Sequence, residues 1–149
     1  MTDTETETSI APFQIAKIRP QLVKRGKTNA QLVRAGNLGI GVQVAAANDG
    51  DTNLHSHPSS DSAWLVLGGK AKFYTVNNRL LGELGKYETI SIPAGTPYWF
   101  DCSSEENLVI VHITSRKPDV STSRIDYEPR TNGADDRVRE LVPGEFFEG

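Results

Sequence analysis

From Gly39 to Thr114 the chain is a succession of short β-prone runs closed by turn formers, and no stretch of it has a long helical period. That pattern restricts the chain to antiparallel sheet, because hairpins join short strands with a few residues whereas parallel pairing needs long crossovers. Strands are predicted over Gln31 to Arg34, Gly39 to Ala46, Thr52 to His57, Ala63 to Leu67, Lys70 to Val76 and Arg79 to Leu84. Thr89 to Ile92, Tyr98 to Phe100 and Leu108 to Thr114 follow. Ala47-Asn48-Asp49-Gly50-Asp51 is a dense turn signal, and Asn77-Asn78 suits a tight hairpin because Asn tolerates positive φ. Short strands at this spacing leave a sandwich or a barrel.

The ends read differently. Residues 1–11 are polar and acidic and are expected to be a disordered tail, 12–115 form the barrel, and 116–149 form a polar extension. Phe13 to Leu22 reads as a short strand or a turn of helix, Lys24 to Asn29 as a charged loop, and Ala134 to Leu141 as a short helix. Phe146-Phe147 is expected to dock on the barrel or on a neighbouring subunit.

At 149 residues the chain fits one domain with a core of its own. A formal net charge of -3, with basic residues scattered apart from Lys24-Arg25-Gly26-Lys27, argues against a nucleic-acid partner. No apolar run approaches the roughly 20 residues that cross a bilayer and the start lacks a signal-peptide pattern, so a soluble, cytoplasmic protein without a membrane partner is expected. Cys102 is the single cysteine, so a bound metal would use nitrogen and oxygen ligands. Phosphate-loop and Gly-x-Ser-x-Gly patterns are missing, which removes nucleotide binding and serine hydrolysis from the list.

The chemistry concentrates at His55-Ser56-His57. In an extended strand side chains alternate, so His55 and His57 leave the same face about 7 Å apart and can converge on one ion. Asp61 follows the Pro58-Ser59-Ser60 turn at the start of the next strand, where it is either a third ligand or a turn cap. Two histidines and a carboxylate suit a divalent metal, and iron, manganese, nickel, copper and zinc all accept them. By phase Ala63, Leu65 and Leu67 share the face of Asp61, so Trp64 is expected in packing or in a dimer interface. His112 lies in an all-apolar run whose periodicity does not orient it, and reads as a core or interface histidine.

These residues resemble the two short motifs of the cupin superfamily. The first runs Gly, His-x-His, three or four residues, Glu, six residues, Gly; here it gives His55, His57, Asp61 and Gly68, with Gly50 one position nearer than usual. The second runs Gly, five residues, Pro-x-Gly-x-x-His; here Tyr87, Pro93-Ala94-Gly95 and Tyr98 stand in those places. The resemblance implies an all-β, single-domain cupin, a double-stranded β-helix or jelly-roll barrel of the RmlC-like kind, with polar extensions. It implies a metal on His55, His57 and Asp61, a small organic substrate, and a homodimer. Dioxygenase chemistry leads, with metal-free isomerase or epimerase chemistry and non-enzymatic binding or sensing as alternatives. Tyr98, in place of the usual histidine, reads as a catalytic hydrogen-bond or proton donor, with phenolate ligation and space-filling as its other readings.

Overall fold

A computed structural model describes residues 12–129 and 139–149. Twelve strands are present among these residues, and no α-helix. One five-stranded antiparallel sheet has the order β2 (Lys27–Ala35), β3 (Leu38–Ala45), β10 (Leu108–Arg116), β5 (Ser60–Gly68), β8 (Thr89–Ile92). The second has the order β11 (Ile125–Asp126), β4 (Gly50–Ser56), β9 (Tyr98–Cys102), β6 (Ala71–Thr75), β7 (Arg79–Leu84). A small sheet pairs β1 (Gln21–Arg25) with β12 (Glu140–Phe146). The predicted all-β class holds, and among the described residues no helix is long and apolar enough to cross a membrane.

Alternation sorts the side chains. Trp64 and Val66 of β5, Phe73 of β6, Tyr98 and Phe100 of β9, and Leu108 and Ile110 of β10 are fully buried in one cluster between the large sheets. Val42 and Val44 of β3 and Val109 of β10 form a second cluster with Val23, and Phe147 packs on it. The first half of β10, Leu108 to Val111, therefore buries both faces, one in the barrel and one near the β1–β12 ribbon, which is why its residues are apolar without alternation. The Asn77-Asn78 turn has φ values of 58° and 55° and joins β6 to β7, as its residue types predict.

Three expectations need correction. Lys24 to Asn29 is not a loop: β1 and β2 meet there at Gly26, whose φ of 78° turns the corner. Residues 12–20 form neither strand nor helix, and the strand begins at Gln21. Of the helix expected over Ala134 to Leu141, residues 134–138 lie outside the described residues, while Glu140 and Leu141 open β12 because they pair with Arg25 and Val23 of β1. The tail expected over residues 1–11 also lies outside them.

Candidate active site

Strand β4 places Asp51, Asn53 and His55 on one inward face, and His57 continues that alternation just past its end. His55 is fully buried, with Nδ1 2.8 Å from the Asn53 carbonyl oxygen. Its Nε2 lies 3.3 Å from Asp51 Oδ2 and has no hydrogen-bond partner among the described residues. The His57 ring stands edge-on to it with centroids 5.0 Å apart.

A short return of the C-terminal extension closes this face. Strand β11 pairs with His55 and Ser56 of β4, which brings Arg124 over the strand. Arg124 donates to Asp51 (3.2 Å), to Asn53 Oδ1 (2.9 Å) and to Asp126 (2.8 Å). Lys27 Nζ reaches Asp51 at 3.8 Å. Burial pushes the Asp51 carboxyl up, but Lys27, His55 and Arg124 together outweigh it and hold the pKa below the usual value. Burial lowers His57 from 6.5 to about 4, helped by His55 and Arg124, and lowers His112 to about 4 as well. Both imidazoles are neutral at neutral pH.

A cavity of about 450 Å³ opens onto this face. His57, Asp51 and Arg124 line one side, and Trp64 and His112 another. The last two rings stack at 3.7 Å with an interplanar angle of 3°. His112 Nε2 lies 3.1 Å from Ser62 Oγ, and Trp64 Nε1 donates to the Tyr98 hydroxyl at 3.3 Å.

No protein-family profile matches the chain. Among solved structures, an uncharacterised conserved protein with a double-stranded β-helix domain from Klebsiella pneumoniae is similar with a TM-score of 0.60 and 16% identity, over 74% of this chain and 90% of that one. An RmlC-like cupin from Desulfovibrio desulfuricans is similar with a TM-score of 0.51 and 18% identity, over 59% and 81%. The chain has the cupin fold. Among curated proteins, the acireductone dioxygenase of Klebsiella pneumoniae is 30% identical over 110 residues, covering 72% of this cupin and 58% of the relative. That of an Enterobacter species is 34% identical over 62 residues, covering 41% and 34%. This cupin thus spans between 34% and 58% of the length of these two relatives.

The structure sets the spacing of the first cupin motif. Ser62, with four residues after His57, points inward and is buried, and six more residues lead to Gly69, whose φ is 72°. A Cβ on Gly69 would collide with the Asn107 carbonyl, so this glycine holds the motif's last place. Asp61 lies on the opposite face, about half exposed. It accepts the Ala94 N–H at 2.8 Å and meets Lys117 at 3.4 Å. It caps the Pro93-Ala94-Gly95 turn and is not brought to the histidines. Gly95 N–H in turn donates to the His57 carbonyl, so the two motifs are stitched together through their backbones.

The inward face of β5 is consequently that of Ser62, Trp64 and Val66; Trp64 packs in the core as expected, but from the inward face, where it also borders the cavity. Tyr98 is fully buried with its ring 4.5 Å from that of His55, behind the cavity wall. Burial, reinforced by the Asp51 charge, pushes its phenol pKa upward. The donor set does not fit the divalent metal that the resemblance implies. The four motif places hold His55, His57, a serine engaged with His112, and a phenol buried behind the cavity wall that accepts a hydrogen bond from Trp64. His55 Nε2 is an orphaned donor atom, yet among the described residues no three His, Cys, Asp or Glu side chains gather to hold an ion.

Reading the residues in order missed Asp51, Lys27, Arg124 and the inward direction of His112. Asp51 was findable, because 51, 53, 55 and 57 share one strand face by alternation. Arg124 had no local signal, since it arrives through pairing across about 70 residues of chain.

Proposed function

We propose that this cupin is an enzyme that binds a small organic molecule in the cavity and removes a proton from it with His57. The observation behind this reading is a neutral imidazole opening onto a cavity that also holds Arg124 and Lys27. Neutral His57 accepts the proton, and the cations stabilise the negative oxygen that develops on the substrate. The dioxygenase names of the relatives support dioxygen as the second reactant, because an electron-rich enediolate is the kind of species that oxygen attacks.

Oxygen uptake with an acireductone as substrate tests the proposal. Wild-type protein should consume oxygen, and His57→Ala should lose at least about 100-fold, the usual scale for a missing general base. Full activity in His57→Ala overturns the assignment. Solvent deuterium entering the substrate without oxygen uptake would transfer the reading to an isomerase.

The same proposal includes a homodimer. Phe13 and Ile15 are 91% and 97% exposed, on a segment held beside edge strand β2 by the Arg34 N–H donating to Gln14. Light scattering at one-chain mass would remove the dimer from it.

A further inference from the structure

We infer that the cavity selects a planar organic anion, with its negative oxygens held by Lys27 and Arg139 and its flat body against the wall formed by Trp64 and His112. This deepens the proposed function and rests on the cavity being the reaction site.

Charge is the first argument. Among the described residues the cavity is lined by three cationic side chains, Lys27, Arg124 and Arg139, against one carboxylate, Asp51. Arg124 is matched by Asp51 and by Asp126 at its edge. Even with Asp126 counted, cations exceed carboxylates among the described residues, and the neutral His57 and His112 do not alter the balance. The whole chain has a net charge of -3, so this positive cavity is a local inversion of the protein's field, the arrangement that draws anions inward. Arg139 stands on the cavity without an ion-pair partner among the described residues and can turn its planar fork to a carboxylate.

Shape and hydrogen bonding narrow the class further. Trp64 and His112 both line the cavity and are locked against each other by stacking, so rigid aromatic surface borders the cavity and favours a conjugated body over a saturated one. Gln43 also lines the cavity, and its Oε1 is buried without a hydrogen-bond partner among the described residues. A buried acceptor left unpaired is costly, so a bound molecule with a hydroxyl or N–H donor completes it. Together these features describe a conjugated carboxylate or enolate that also bears a hydrogen-bond donor.

Calorimetric titration at low salt with three probes separates the contributions. Salicylate is planar, anionic and hydroxylated; salicylamide keeps the shape without the charge; cyclohexanecarboxylate keeps the charge without the flat ring. Salicylate should bind at least ~10-fold more tightly than salicylamide, the scale expected for a lost charge partner, and its affinity should fall with added salt. Cyclohexanecarboxylate should bind several-fold more weakly than salicylate. Arg139→Gln should weaken salicylate by roughly 3- to 5-fold, as for a partly exposed ion pair, with Arg139→Lys restoring most of it. Arg139 is an exposed residue, so neither variant threatens the fold.

Equal affinity for salicylate and salicylamide, an unchanged Arg139→Gln, or no salicylate binding up to about 10 mM, the range of the weakest specific ligands, overturns the inference. Equal affinity for cyclohexanecarboxylate overturns its planar part. Anion selectivity without oxygen uptake removes the enzyme reading and leaves the selectivity standing. Oxygen uptake with no anion preference does the reverse.

Discussion

Asp51 Oδ2 lies 3.3 Å from Nε2 of His55, four residues away, on a face where His55 is fully buried. With Nδ1 at 2.8 Å from the Asn53 carbonyl, a neutral imidazole can serve only one of its two acceptor neighbours. A second proton would serve both, and the Asp51 charge favours it, but burial prevails and lowers the His55 pKa. The carboxylate is therefore held chiefly by Lys27 and Arg124.

Asp51→Asn should destabilise the protein by roughly 3 kcal/mol, because it removes the buried carboxylate that Lys27 and Arg124 share. Urea unfolding measures this. Arg124→Met should cost less in the Asp51→Asn background than alone, since both changes break one network. Strict additivity would show that the network is not energetically coupled.

Purified protein grown with iron, manganese, nickel, copper and zinc should contain well under one metal per chain. Ser62→Glu combined with Tyr98→His restores the family's two missing ligand types and should raise the content toward one, provided circular dichroism shows a folded barrel. A stoichiometric metal in the wild type would contradict the donor chemistry described above.

Stability should fall as the pH drops from about 6.5 toward 4. His57 and His112 have folded pKa values lowered to about 4 from 6.5, so between those values the unfolded chain binds more protons than the folded one. Their contribution is complete above pH 6.5 and is lost as they are forced to charge, on the order of 1–3 kcal/mol for each. Thermal melts across this range test the sign, and NMR titration should show both imidazoles still neutral at pH 5.

Tyr87→Gly should stabilise the fold. Tyr87 is 70% exposed and has φ of 69°, in the place where the second motif carries glycine. Relief of left-handed strain, offset by the greater freedom of glycine in the unfolded chain, leaves a net gain of about 0.5–1 kcal/mol. The melting temperature should rise by a few degrees. The contact of Lys86 over the Tyr87 ring, 5.0 Å to the centroid, is exposed and too weak to reverse the sign.

Much of the framework was legible because its signals are local. The hairpin at Asn77-Asn78, the strand ended by Pro93 and the paired direction of His55 and His57 follow from turn chemistry and two-residue alternation. Alternation fixes which side chains share a face, but not which face is inside. Asp61 and Trp64 do lie on opposite faces of β5, but the face of Trp64 is the inner one, and four residues after His57 instead of three put Ser62, not Asp61, in the motif's acidic place. His112 was undetermined for a related reason, since β10 is apolar on both faces when the outer one is covered as well.

By itself the sequence determined an antiparallel all-β chain, the family it resembles, and a histidine pair looking in one direction. The tertiary structure decided what that pair looks at. Arg124 precedes β11, which pairs with β4, and Lys27 comes from β2 in the other large sheet, so strand pairing and sheet packing bring these remote segments within a few ångströms of Asp51. Charge acts through space at those distances, so the character of the cavity became readable only once the strands were paired.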